Sequence, residues 1–178
     1  MRTTSDRYTL PAIALHWLLA LALIGTFGVG LYAADLQFSM TKLKLLNWHK
    51  WAGITILFLS VLRLVWRLTH RPPADVPMPA WQAKVSHLLH WLMYGLFFAI
   101  PLTGWAMSSA KGFPIVWFGV LPLPDWVPKD KALGHQLEEL HEMVAWLLAA
   151  LVVAHVAAAL KHHLIDKDGL LDRMRPGR

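Results

Sequence analysis

Long runs of apolar residues dominate the pattern of hydrophobic and polar positions along this chain. Four runs are long enough to cross a bilayer as a helix, which takes about 20 residues; they lie at about 11–34, 46–68, 86–107 and 139–164. Because a helix satisfies its own backbone polar groups in lipid, four such runs predict an all-α, integral membrane four-helix bundle. A soluble bundle would need a polar outer face on each helix, and these runs contain too few polar positions.

The segments between the runs carry turn-forming residues. The segment 71–80 is rich in proline, and 112–131 mixes prolines with aromatic residues. No repeat is present, so a chain of 178 residues is expected to form one domain, 1–178. The N-terminal arginines precede an apolar run too long for a signal peptide, and we expect that run to be retained as the first span.

Composition strengthens the membrane prediction and removes several kinds of site. Hydrophobic residues make up 56% of the chain and charged residues 16%, whereas a soluble domain carries about a quarter charged residues. The chain contains no cysteine, which excludes disulfides, iron–sulfur clusters and covalently attached c-type haem. The net charge of +6 is assigned to cytoplasmic loops and tails, and we expect no nucleic-acid partner.

The distribution of basic residues predicts that both termini are cytoplasmic. Eleven of the 17 lysines and arginines then face the cytoplasm, including every arginine, as the positive-inside rule requires. The lysines left on the external side are Lys42, Lys44, Lys50, Lys111, Lys129 and Lys131.

Histidines lie in the runs at two expected depths, where ionisable residues are costly and usually functional. On the external side, His49 opens the second helix and His141 opens the fourth. On the cytoplasmic side, His16 lies inside the first helix and His155 near the end of the fourth. Fourteen residues separate His141 from His155, which advances a helix by about 21 Å and returns it to nearly the same face.

The remaining histidines leave one pairing open. His87 and His90 are expected to open the third helix on the cytoplasmic side, so His155 has two potential partners there: His16 or the His87/His90 pair. His70 and His135 lie in expected loops.

Paired histidines at two levels of an apolar bundle are typical of b-type haem, which is held by its axial ligands alone. Neutral imidazole binds iron without adding charge to a low-dielectric site. Gly53, one turn after His49, would let a porphyrin approach the helix, although close helix packing is an alternative role for this glycine. A zinc- or proton-handling transporter is the non-redox alternative, but no His-Glu-x-x-His motif is present.

Several segments, in this order and spacing, resemble the bacterial cytochrome b561 family. They cover nearly the whole chain and are IALHW (13–17), NWHKWAGITIL (47–57), VLRLVWRL (61–68), HLLHWLMYGLFFAIPLTG (87–104), KGFPIVWFG (111–119), LHEMVAW (140–146) and AHVAAALKHH (154–163). The resemblance implies a bacterial inner-membrane protein with two haems b. It implies that His16 and His155 ligate the cytoplasmic haem, and that His49 and His141 ligate the external one.

The same resemblance implies an activity, namely that superoxide is oxidised externally and its electron passes through both haems to ubiquinone. Near the cytoplasmic end, Arg63, Arg67 and His162 are candidate contacts for the quinone or the haem propionates, with lipid headgroups as the alternative partner of the arginines. His87 and His90 are candidate surroundings of the cytoplasmic haem. The external lysines could steer an anion to the external haem, or could simply be solvated.

A second function remains open on the sequence. The chain could be the cytochrome b electron-transfer subunit of a larger membrane oxidoreductase, of the hydrogenase or formate dehydrogenase type. The long third connection would then provide a surface on which a partner docks.

Overall fold

Four long helices form the protein in a computed structural model that describes residues 7–176. The helices are α1 (Leu10–Asp35), α2 (Met40–Thr69), α3 (Ala80–Ala110) and α4 (Lys131–Lys161). Each is long and apolar enough to cross a membrane. The predicted all-α membrane bundle is therefore confirmed.

Three of the helices begin earlier than the apolar runs predict. α2 begins at Met40 rather than 46, because Ser39 caps it by accepting from the backbone N–H of Lys42 at 3.2 Å. α4 begins at Lys131 rather than 139, where Asp130 accepts from the N–H of Leu133 at 3.0 Å. α3 likewise begins at Ala80 rather than 86. These first turns are polar, and hydropathy alone does not detect them.

The earlier starts correct the expected positions of several histidines. His49 and His141 do not open their helices; each lies about two and a half turns inside. His87 and His90 also lie inside α3 rather than at its start. His135 is not in a loop but in the first turns of α4, where its Nδ1 lies 3.3 Å from a carboxylate oxygen of Glu139.

The helices pack in chain order. Close backbone contacts join α1 to α2, α2 to α3 and α3 to α4. α1 and α4 meet through side chains, including the rings of Phe27 and Trp146, whose centroids are 5.2 Å apart. At mid-height a buried cluster joins α3 and α4; its members are Met93, Leu96, Phe97 and Leu148.

The third connection forms a small hairpin at one end of the bundle, called here the hairpin end. Strand β1 (Val116–Trp117) pairs antiparallel with β2 (Leu121–Pro122). Phe118 and Gly119 between them have φ of 50° and 73°, which is the left-handed backbone of a type I′ turn. The indole N–H of Trp51 on α2 donates to the carbonyl of Val116 at 2.6 Å and holds the hairpin against the bundle.

The opposite end carries the start of α1 and the C-terminal segment, and is called here the termini end. After α4 the chain makes one π-helical turn (His162–Asp166) and a short 3₁₀ helix (Leu171–Met174). The segment folds back onto α1, because the indole N–H of Trp17 donates to the carbonyl of Met174 at 2.9 Å.

Candidate functional site

A pair of histidines faces each other near the hairpin end. The ring centroids of His49 on α2 and His141 on α4 are 6.1 Å apart, with the ring planes at 79°. Nδ1 of His49 lies 3.0 Å from the carbonyl oxygen of Thr26, and Nδ1 of His141 lies 3.0 Å from that of Ile100. A carbonyl oxygen only accepts, so each Nδ1 donates. The lone pair of each Nε2 is therefore available to a metal.

Glycines on the neighbouring helices make these contacts possible. A Cβ added to Gly30 on α1 would lie 2.9 Å from Cε1 of His49, and one added to Gly104 on α3 would lie 3.0 Å from Cε1 of His141. Each glycine follows the accepting carbonyl residue, Thr26 or Ile100, by one helical turn. The same arrangement of carbonyl and glycine thus positions both rings.

Gly53 has a different environment from these two glycines. A Cβ added there would meet nothing within 4 Å. The helix face one turn after His49 is therefore open, as the approach of a flat macrocycle would require. Gly53 remains a prediction as a packing position, since open space alone does not identify what fills it.

A second pair of histidines faces each other near the termini end. The ring centroids of His16 on α1 and His155 on α4 are 6.2 Å apart, with the planes at 65°. His90 on α3 lies closer to His155, with centroids 5.3 Å apart. Nη1 of Arg63 donates to Nδ1 of His16 at 3.0 Å, and Nε of Arg63 donates to the hydroxyl of Tyr94 at 3.2 Å.

The spacing of both pairs suits a metal held between two imidazoles. A metal–imidazole bond is about 2 Å and the ring centre lies about 1 Å beyond the nitrogen, so two axial imidazoles on one iron have centroids about 6 Å apart. The two pairs at 6.1 and 6.2 Å match this value. The 5.3 Å between His90 and His155 is too short. The residues therefore fit a haem with two histidine ligands at each level.

The other predicted residues have separate contacts. His87 Nε2 lies 3.0 Å from a carboxylate oxygen of Asp75, and both side chains are exposed. His90 Nδ1 lies 2.6 Å from the carbonyl oxygen of Ser86. Arg67, one turn beyond Arg63, is exposed. His87 thus contacts a carboxylate at the surface, whereas His90 lies beside the termini-end pair.

His162 is buried at the end of α4, among carboxylates. Its Nδ1 lies 2.5 Å from an oxygen of Asp168 and 3.3 Å from one of Asp166, which also pairs with Lys161 at 2.6 Å. Partial burial would raise the pKa of Asp168, but hydrogen bonds from the Leu170 N–H and from His162 hold that pKa below its ordinary value. His162 therefore ties the C-terminal segment to α4.

Half of the predicted external lysines are engaged with the protein. Lys42 donates to the carbonyl of Leu36 at 2.8 Å, Lys50 donates to that of Phe113 at 3.1 Å, and Lys111 pairs with Glu138 at 2.7 Å. Within residues 7–176, no ion pair or hydrogen bond involves the side chains of the others, Lys44, Lys129 and Lys131.

The pattern of the sequence alone missed Gly30, Gly104 and Tyr94 as parts of these sites. A glycine in a membrane helix is common, and nothing in its neighbours along the chain says which histidine of another helix lies above it. Two Gly-containing segments, GTFGVG and PLTG, lie at the same expected depth as His49 and His141. Matching depth is the signal that could have found them.

Comparison with known proteins identifies the family of this chain. A family profile described as prokaryotic cytochrome b561 matches residues 7–177. The chain belongs to the prokaryotic cytochrome b561 family. Two Escherichia coli K12 members are similar over nearly the whole chain: cytochrome b561 homolog 2 is 36% identical, covering 96% of this chain and 92% of that protein, and cytochrome b561 homolog 1 is 35% identical, covering 97% and 99%.

A third relative has an enzymatic name. The probable superoxide oxidase CybB of Yersinia pestis is 30% identical over 172 residues, covering 96% of each chain. As a cytochrome b561, the protein is a multi-pass protein of the bacterial inner membrane that binds haem b and takes part in electron transfer. A quinone-type partner is typical of such a membrane cytochrome.

Proposed function

We propose that this cytochrome b561 holds two haems b in one domain spanning residues 1–178. It passes electrons from superoxide at the external face to ubiquinone at the cytoplasmic face. In this proposal His49 and His141 ligate the external haem, and His16 and His155 ligate the cytoplasmic haem. The observation that carries the proposal is the pair of facing imidazoles at each end of the bundle, 6.1 and 6.2 Å apart.

The chain's own groups prepare each ligand in a different way. At the hairpin end, two backbone carbonyls hold the Nδ1 hydrogens of the histidines and leave Nε2 free. At the termini end, the guanidinium of Arg63 lies between Tyr94 and His16, and its bond to Nδ1 of His16 would be given up once Nε2 binds iron. The buried cluster around Phe97 and Leu148 places packed apolar side chains of α3 and α4 between the two levels. A bound haem supplies one-electron exchange between ferric and ferrous iron.

The electron balance of the proposed reaction involves both faces. Two superoxide anions each lose one electron and leave as dioxygen. The two electrons, with two protons from the cytoplasm, reduce one ubiquinone to the quinol. The relative named a probable superoxide oxidase supports the choice of superoxide as the donor.

A cleft at the termini end supports a quinone site there. It has a volume of about 320 Å³, and its wall includes Trp17, whose ring centroid lies 5.3 Å from that of His16. The remaining lining residues are His163, Leu171, Asp172, Arg175 and Pro176. We propose that the quinone ring docks there, with Arg67, His90 and His162 as further candidates for contact with quinone or haem propionates.

The lysines without a partner support steering of an anion at the external face. Lys44, Lys129 and Lys131 remain available to raise the encounter rate of superoxide, an effect that falls with ionic strength. Lys42 and Lys50 donate only to neutral backbone carbonyls and keep their charge, so they add to the same field, whereas the charge of Lys111 is offset by Glu138.

The exposed hairpin favours a second candidate function, an electron-transfer subunit of a larger oxidoreductase. Phe118, Val120 and Leu121 are 58, 83 and 51% exposed at the hairpin end. Such an apolar surface is suited to a partner protein as well as to lipid headgroups. Superoxide-dependent electron transfer by the isolated protein would argue against this candidate.

Rapid mixing with superoxide tests the proposed activity. The haem-loaded protein should carry two haems per chain, and superoxide should reduce them within the mixing experiment. Added ubiquinone should then reoxidise them. The His141→Ala protein should keep one haem and lose reduction by superoxide, since the external haem is absent.

His135→Ala is the matched control for this experiment. His135 lies on α4, as His141 does, but is exposed and pairs with Glu139. It should keep both haems and react as the parent does. If the haem of the parent stays oxidised after mixing with superoxide, superoxide is not the electron donor. If His141→Ala retains two haems, the assignment of His49 and His141 as the external ligand pair is wrong.

A further inference from the structure

The two histidine pairs have opposite hydrogen-bonding environments at Nδ1. At the hairpin end, His49 and His141 both donate to backbone carbonyl oxygens at 3.0 Å. A hydrogen-bond acceptor on the far nitrogen makes an imidazole a more basic ligand. A more basic ligand stabilises the ferric state and lowers the reduction potential of the haem it holds.

His16 at the termini end has a donor in the place of such an acceptor. Arg63 approaches Nδ1 of His16 at 3.0 Å, and a guanidinium has five donors and no acceptor. Binding iron through Nε2 would put the ring hydrogen on Nδ1, so the bond from Arg63 would be given up and that hydrogen would face a guanidinium that can only donate. Within residues 7–176, no hydrogen bond reaches either ring nitrogen of His155. Neither ligand of this pair is therefore made more basic by a carbonyl.

The charge of Arg63 acts in the same direction. Its side chain is half-buried among the helices, donates to Tyr94 and lies with Cζ 5.8 Å from the centroid of the Tyr94 ring. In a medium of low dielectric constant, a nearby cation stabilises the state that carries one more electron. Arg63 should therefore raise the potential of the haem bound by His16. Arg67 carries the same charge one turn further along α2, where it is exposed at the surface of the bundle and has no contact to His16.

We propose that Arg63 sets the reduction potential of the cytoplasmic haem above that of the external haem and so gives the electron path its direction. The inference rests on the proposed pairing of haem ligands but not on the identity of the electron donor. One electron would pass from a haem held by His49 and His141 to a haem held by His16 and His155, with no bond made or broken. Arg63 is thus a positioning and tuning residue rather than a catalytic one.

Spectroelectrochemical titration of the haem-loaded protein measures both potentials. The parent should give two transitions, and the His141→Ala protein should keep only the one at higher potential, which assigns it to the cytoplasmic haem. His49→Ala gives the same assignment independently. This comparison requires no change at Arg63, so it tests the order of potentials even if variants at that position fold poorly.

Substitution of Arg63 then tests whether Arg63 sets the order of the two reduction potentials. Arg63→Gln should move the higher midpoint to lower potential and leave the lower midpoint within fitting error. Arg63→Lys, which keeps the charge, should retain most of the parent value. Arg71→Gln is the matched control because it removes the same charge at the termini end, where Arg71 is exposed and has no contact to His16, and its shift should be clearly smaller.

Each contrary outcome identifies which proposal fails. If Arg63→Gln binds two haems and its higher midpoint potential equals that of the parent, the proposed role of Arg63 is wrong. A higher midpoint potential in Arg63→Gln than in the parent would also overturn this role. That result would mean that Arg63 stabilises an anionic His16 ring, a strongly basic ligand that lowers the potential. Assignment of the higher midpoint to the external haem would overturn the proposed direction. Absence of haem from the parent would remove the ligand pairs themselves.

Discussion

Two glycines determine how closely the hairpin-end histidines approach their neighbouring helices. Gly30 and Gly104 each place backbone, rather than a side chain, beneath an imidazole ring. That approach lets Nδ1 of each histidine reach a carbonyl one turn earlier on the facing helix. At the scale of the residue, each imidazole is therefore positioned by two helices. One helix carries the ring, and the other orients it through a backbone carbonyl.

Substitution of Gly30 should remove one haem selectively. In Gly30→Val the added Cβ would meet the ring of His49 at 2.9 Å, so the ring must leave its bond to Thr26. We expect haem content to fall from two to about one per chain, measured by the pyridine haemochrome assay against protein concentration. Gly28→Val is the matched control on the same helix, because a Cβ there meets nothing within 4 Å. An equal loss in both variants would show that Gly30 acts only through helix packing.

At the scale of the element, the helices extend beyond the apolar runs and carry polar caps and connections. Asp130 and Ser39 begin α4 and α2 well before the hydropathy pattern does. At the other end, α4 passes into a single π-helical turn whose His162 bonds to Asp168. The indole N–H of Trp17 holds the C-terminal segment against α1, where it forms part of the cleft beside Trp17.

The bond between His162 and Asp168 should make the stability of this segment depend on pH. The pKa of Asp168 is below its ordinary value of 3.8, so the stabilisation is complete above pH 3.8 and is lost as the pH falls through the lowered pKa. At neutral pH, Asp168→Asn should lower the melting temperature in detergent by about 2–4 °C, corresponding to roughly 1 kcal/mol. The difference in melting temperature between Asp168→Asn and the parent should shrink as the pH falls below 3.8.

Asp172→Asn is the control for that measurement. Asp172 lies in the same segment, but its side chain is 55% exposed and its pair with Arg175 is long at 3.6 Å. Its melting temperature should stay close to that of the parent. A constant difference between Asp168→Asn and the parent down to acid pH would contradict ionisation of Asp168 as the cause.

At the scale of the whole molecule, four antiparallel helices place the two histidine pairs at opposite ends. Both described chain ends lie at the termini end with His16 and His155, while the hairpin lies at the end with His49 and His141. The separation along α4 is about 21 Å. An electron that passes between the pairs therefore crosses most of the bilayer.

The proposed orientation can be tested with reporter fusions. If the termini are cytoplasmic, green fluorescent protein fused after Arg178 should fluoresce, and alkaline phosphatase at the same position should be inactive. Alkaline phosphatase fused after Asp125, in the third connection, should be active because that connection is external. The reverse pattern would exchange the two faces and with them the sites proposed for quinone and superoxide.

The sequence by itself determined the class of the protein. Four apolar runs require helices in lipid, because only a closed set of hydrogen bonds is tolerated there. Histidines within those runs, at two depths, indicated ligands in pairs, and depth joined His49 to His141 without help from the fold. Each of these inferences depends only on where a residue lies along one helix, and the sequence gives that position directly.

Only the tertiary structure decided which groups from different helices meet. The partner of His155 was open on depth alone, and the distances of 6.2 Å to His16 and 5.3 Å to His90 favour His16 as a partner across a metal. The contacts of Gly30, Gly104 and Arg63 depend on how one helix is rotated against the next. That rotation is set by packing summed over whole helix faces, which no single stretch of sequence contains.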